Sequence, residues 1–202
     1  MESFHLIRVN NMYQRIWRQF LQIMPNKKVL RFSVQFCIII LSLFNTSLLV
    51  ASGTWRDNFQ SLTVLGKGTL KVFVWEVYDL TLLSEKNFFS WQHRFVLQFE
   101  YKRNLKKDDV IEASIREMRR QNGVTSADLA KWQKNLAKVI EPVEQGTKAA
   151  VEWLPVGKIV FYYDAKAPVI IDNEPLARSF INIWLGQETS EPELRAALLN
   201  QD

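Results

Sequence analysis

Residue types that carry most protein chemistry are scarce in this sequence. It has two histidines, His5 and His93, and one cysteine, Cys37. Cys37 lies in an apolar run near the N-terminus, so the chain after Gly53 offers no thiolate nucleophile, disulfide or cysteine metal site. A histidine-based triad there has only His93 to draw on, and its place at the head of a strand-like run reads better as a surface position. No G-x-S-x-G marks a nucleophilic serine, and no His/Cys/Asp group has metal-ligand spacing. Gly66-Lys67-Gly68 is too short for a phosphate loop and fits a hairpin turn. Asp108-Asp109 suit the start of a helix better than a catalytic acid–base pair. The residues therefore point to no catalytic group, metal ligand or cofactor.

What remains is a cation among apolar side chains. The stretch GTLKVFVWEVYDLTLL, residues 68–83, is nearly all apolar or β-branched, yet contains Lys71 and Glu76. Read as one strand over residues 69–83, it sets Lys71, Phe73, Trp75 and Val77 on one face and Leu70, Val72, Val74, Glu76 and Tyr78 on the other. Both faces are largely apolar, which predicts cover on both sides. An unpaired lysine inside is costly. Lys71 must snorkel to the rim, pair with an acid, or face a cavity. In the last case its ammonium meets an anionic or carbonyl head while Phe73 and Trp75 touch the apolar body of a ligand.

The surrounding pattern supplies the elements. HRFVLQFEYK alternates, with Phe95, Leu97, Phe99 and Tyr101 on one face of a strand. Ile111, Ile115 and Met118 recur at helical spacing, with Asn122-Gly123 as the stop. A second helix opens at Thr125 with Asp128 in capping-box spacing, carries Leu129, Trp132, Leu136 and Val139, and ends before Pro142. GKIVFYYD and APVIID read as two more strands. Asn173 and Pro175 start a helix bearing Leu176, Phe180, Ile183 and Trp184 that ends at Gly186. Ser190 and Glu193 have capping-box spacing before a short final helix. Strands and helices in blocks predict an α+β domain, helices against a mostly antiparallel sheet. Lys106, Lys107, Arg116, Arg119 and Arg120 are interleaved with acids and read as a solvated helix face.

The net charge of +5 has a single source. Arg8, Arg15, Arg18, Lys27, Lys28 and Arg31 against Glu2 account for all of it, so residues from Gly53 onward balance. A neutral body gains little from counterion release, which argues against nucleic acid as a partner. Lys27, Lys28 and Arg31 precede an apolar run from Phe32 to Val50 that closes on Ala51, Ser52 and Gly53. That order is a secretory signal over residues 27–52, or a retained membrane anchor, with Val50 and Ser52 at the small positions of a cleavage site. Residues 1–26 are then a basic extension, or the true start is Met24, which gives a signal of ordinary proportions. The segment is expected to engage a membrane or the secretion machinery. The domain, residues 53–202, is expected in the periplasm, free or tethered to the inner membrane.

LGKGTLKVFVWEVYDLTLL, FEYKRNL, WLPVGKIVFYYD and above all FINIWLGQETSEPELRAALL, in this order, resemble bacterial chalcone isomerase-like proteins over about residues 55–199. The resemblance implies a chalcone-isomerase-like open-faced β-sandwich, a large antiparallel sheet covered by helices on one side, with a ligand cleft between them. In the isomerases of that superfamily an arginine anchors the substrate, and Thr, Tyr and Asn order it. In its fatty-acid-binding members an arginine and a tyrosine hold the carboxylate. Here no arginine stands near the start of the long strand, where Lys67 and Lys71 are the nearest cations. Phe73 falls at the Thr or Tyr of that strand, and the helix Tyr and Asn fall near Lys107 and Ser114. These departures remove the hydrogen-bond set that orients a phenolate attack. They favour a non-catalytic protein that binds an apolar or fatty-acid-like ligand through Lys71, Phe73, Trp75 and Ser114. An isomerase or lyase with a site rewired on Lys71, and an interaction protein whose cleft is filled by its own side chains, remain as alternatives.

Overall fold

Why the apolar stretch around Lys71 does not run on as one strand is visible at once in the computed structural model, which describes residues 54–201. The chain reverses at Phe73-Val74. Strand β1 (Thr63–Val72) turns there into β2 (Trp75–Ser84), and the two pair antiparallel. This corrects the single strand expected over residues 69–83. Gly66 and Gly68, expected in a turn, lie within β1. After β2 come β3 (Phe95–Tyr101), α1 (Lys107–Met118), α2 (Ser126–Val139), β4 (Lys148–Leu154), β5 (Lys158–Tyr163), β6 (Val169–Ile171), α3 (Glu174–Leu185) and α4 (Pro192–Leu199). A short 3-10 helix, Trp55–Phe59, precedes β1. The expected pair of strands after the helices is a triplet, because β4 precedes the other two. The signal or anchor segment, Cys37 and the Met24 start all lie outside the described residues.

The six strands form one sheet in sequence order, every neighbouring pair antiparallel. Its two faces differ in composition. Tyr78, Leu80 and Leu82 on β2, Phe95, Leu97 and Phe99 on β3, and Val151, Trp153 and Phe161 beyond them are buried against helix residues such as Ile115, Leu136 and Ile181. Trp153 is fully buried and donates its indole N–H to Trp91 O at 3.0 Å, which satisfies its one polar atom. On the opposite face a smaller cluster forms where the 3-10 helix lays Phe59 against Tyr162, ring centroids 5.2 Å apart. Beneath it the buried Glu152 accepts from the Tyr162 hydroxyl at 2.5 Å and is paired with Arg94. A carboxylate with both partners in place is tolerable inside, and one left alone is not.

Local signals explain two of the four α-helix starts. Thr125 and Asp128 form the expected reciprocal capping box at the head of α2. Asn173 accepts the Leu176 N–H at 3.0 Å and Pro175 sits in the first turn of α3. The box expected from Ser190 and Glu193 does not form; Glu191 is the N-cap of α4 and makes no side-chain cap bond. Glycines seat α4 on β1. A Cβ at Gly66 would stand 2.1 Å from the Ala197 carbonyl oxygen, and one at Gly68 would stand 2.5 Å from the Leu194 side chain. Gly66 marks a close approach of backbones and Gly68 the seat of the Leu194 side chain, rather than a turn.

Candidate functional site

A register shift between Leu70 and Lys71 opens the site. Leu70 pairs with Tyr78 and Lys71 with Glu76, so Val77 is left over as a bulge. The bulge breaks the side-chain alternation of the hairpin. Val72 and Val77 both end up facing a cavity of about 260 Å³ between the sheet and α1 and α3. That is near the lower end of the roughly 300–1,000 Å³ common for small-ligand sites. Leu70, Phe99 and Phe161 of the sheet wall it, with Val110 and Ala113 of α1 and Ile183 of α3 opposite.

Polar groups enter this apolar space at few points. Tyr78, Tyr101 and Tyr163 project into it from three strands. The Tyr78 hydroxyl accepts the Trp184 indole N–H at 2.8 Å, leaving its own proton to be donated. Burial makes all three phenols weaker acids, raising the pKa of Tyr163 to about 12 and those of Tyr78 and Tyr101 well above the ordinary tyrosine value. They are neutral hydrogen-bond donors throughout the physiological range. Ser114, on the helix wall, spends its hydroxyl proton on the Val110 carbonyl at 2.8 Å. The rim is acidic, with Asp109, Glu117 and Glu191 against one cation, Arg116. Arg116 is itself 3.8 Å from Glu117 and its side chain is 69% exposed. Partial burial, then the neighbouring Glu117, raises the Glu191 carboxyl above its usual range. Among the described residues, no histidine or lysine lines the cavity.

The four residues singled out from sequence separate in space. Ser114 is on the cavity wall. Lys71 is exposed and lies 3.3 Å from Glu76, its partner across the hairpin. Phe73 is 95% exposed at the tip, and Trp75 is 58% exposed beneath the Arg103 guanidinium, 4.5 Å from its ring. Lys71 thus reaches solvent at the sheet end, beside the Glu76 carboxylate, and does not face the cavity. The tyrosines were not singled out, because aromatic residues on a strand look the same whether they fill a core or border a cavity. A second hollow of about 490 Å³ lies on the open face of the sheet. Its carboxylates are already matched, Asp79 to Lys102 at 2.6 Å and Thr69 at 2.7 Å, and Glu100 to Lys148 at 3.6 Å. The apolar cavity is the better candidate.

A family model described as chalcone isomerase-like matches residues 54–200. The chain belongs to the chalcone isomerase-like family. No curated protein sequence matches this family member. Among solved structures it is similar to a fatty-acid-binding protein of Arabidopsis thaliana, with a TM-score of 0.56 and 11% identity, over 70% of this chain and 88% of that one. At that identity the likeness speaks for the fold, a six-stranded antiparallel open sheet with four helices. It agrees with the architecture expected for a chalcone isomerase-like chain.

Proposed function

We propose that this chalcone isomerase-like protein binds an apolar, lipid-like ligand in the cavity between sheet and helices without transforming it. The carrying observation is the cavity itself: apolar walls, buried neutral phenols as hydrogen-bond donors, and carboxylates and a single arginine only at its rim. A long hydrocarbon body gains by leaving water for such walls, by about 25 cal/mol per Å² buried. The head is held by Tyr78 and Tyr101, which can donate to a carbonyl, ester or hydroxyl oxygen. The fatty-acid-binding protein of similar fold supports a lipid-like body. An ionised carboxylate is less suited, because three rim acids outnumber Arg116. The best occupant is an amphiphile with a neutral oxygenated head.

Native mass spectrometry of protein purified from cells tests this. A co-purifying lipid mass, lost in Ala113→Phe and weakened in Tyr78→Phe/Tyr101→Phe, is the expected result. An empty protein that also ignores added fatty alcohols and acids would overturn it. A ligand recovered with altered mass after incubation would mark an enzyme instead. The order of charge and apolar residues before Gly53 supports a place in the periplasm, free or tethered. Protease digestion of intact spheroplasts checks that location, with digestion expected.

A further inference from the structure

The turn between β1 and β2 is built against the usual rules. Two-residue hairpin turns with a positive φ at their first position favour glycine there. Here Phe73 occupies it at φ 55. A bulky side chain held in that region is strained, and the strain is stored where nothing in the fold requires an aromatic ring. Its ring is 95% exposed, with Val74 at 83% beside it and Val72 and Trp75 about half exposed below. Phe73 and Val74 therefore project from the sheet into solvent, flanked by the half-exposed Val72 and Trp75.

Two neighbours give this tip a direction. The segment after β3 lies alongside it, tied by the Lys102 N–H to the Val77 carbonyl at 2.9 Å. It presents Arg103, stacked on Trp75, and then Lys106 and Lys107, none of which has an acidic partner within ion-pair distance among the described residues. Asp108 and Asp109 follow in the first turn of α1, at the positive end of its dipole. The base of the tip is also a wall of the cavity, through Val72, Val77 and Leu105. Apolar side chains at a convex end, a tryptophan below them and cations beside it form the order found at a water–bilayer boundary. A protein partner fits less well. A stable interface takes about 800 Å² from each side, more than a four-residue convex tip provides, whereas a bilayer sets no such minimum.

We infer that the Val72–Trp75 hairpin tip inserts into the headgroup region of an anionic lipid bilayer. Membrane contact of the tip does not depend on what the cavity holds, so this inference and the ligand reading fail separately. The test uses the full chain with Cys37→Ser and one new cysteine carrying an environment-sensitive dye. The dye sits at Val74, or at Val156, which is 72% exposed in the turn between β4 and β5 at the other end of the sheet. The probe is phosphatidylcholine–phosphatidylglycerol vesicles with brominated acyl chains. Dye at position 74 should shift to the blue and lose emission, dye at 156 should not, and pure phosphatidylcholine should give a smaller response. Phe73→Gly, read with dye at 74, should reduce the quenching while raising the thermal midpoint, a combination that a merely destabilised variant cannot produce. Equal responses at 74 and 156, or none at 74, would overturn the inference. So would a concentration-dependent blue shift at 74 without lipid, which would mark a second copy of the chain as the partner.

Discussion

Glu191 shows how one side chain can report on the cavity. It sits on the rim, and burial followed by repulsion from Glu117 raises its carboxyl above the ordinary glutamate value. The folded state therefore holds this proton more tightly than the unfolded chain. Between the ordinary and the raised value folding takes up a proton, so the stability tied to this group is full at lower pH and declines as pH rises through that window. Glu191→Gln should flatten this decline and leave the variant slightly more stable at neutral pH, by less than about 1 kcal/mol for so exposed a group. Urea midpoints across the mildly acidic range measure it. The same variant should bind an ionised fatty acid more tightly than the parent, since one rim charge is gone. An unchanged pH slope would remove Glu191 from the account.

At the scale of elements, the closest contact is between β1 and α4. Gly66→Ala drives a methyl into the Ala197 carbonyl, and neither backbone can yield without moving the helix. The expected loss is about 1–3 kcal/mol, in the range of overpacked cores. A thermal midpoint measures the loss, and faster exchange of the α4 amides locates it. A midpoint within error of the parent would show that α4 rides more loosely than drawn here. Such seams were hidden in the sequence because a glycine gives the same sign in a turn and under a helix. The helices were legible where polar signals and apolar spacing agreed, as in α2, with Thr125, Asp128 and its four buried stripe residues. The β1–β2 turn was illegible because Phe73 and Val74 lack turn chemistry, so two strands merged into one. KAAVEWL in β4 is hard to read as a strand because its alanines carry little strand preference and Glu152 looks like a surface residue, whereas it is a buried acid with two partners. The cavity followed the same logic. Ser114 could be placed from resemblance, but the bulge at Val77 that opens the space leaves no mark on local composition.

Across the whole molecule, an unfilled apolar cavity costs packing contacts that a ligand restores. A binder present at about a hundred times its dissociation constant adds about 2.7 kcal/mol to folding. For a domain of this size that is a rise of roughly 5–11 °C in the thermal midpoint. A long-chain alcohol should produce such a shift. Ala113→Leu, which fills part of the space, should raise the midpoint of the free protein and shrink the ligand's further gain. A full ligand shift in that variant would place the binding site elsewhere.

The order of the strands has one more consequence. Each joins the sheet next to its predecessor, so pairing can proceed as the chain emerges from the ribosome. The seat on β1 stays bare, however, until Pro192–Leu199 arrives to cover Gly66 and Gly68. Synthesis thus leaves the first strand waiting for the last helix. A product cut short by a stop codon just before Pro192 would keep its whole sheet and still present an open flank to quality-control proteases.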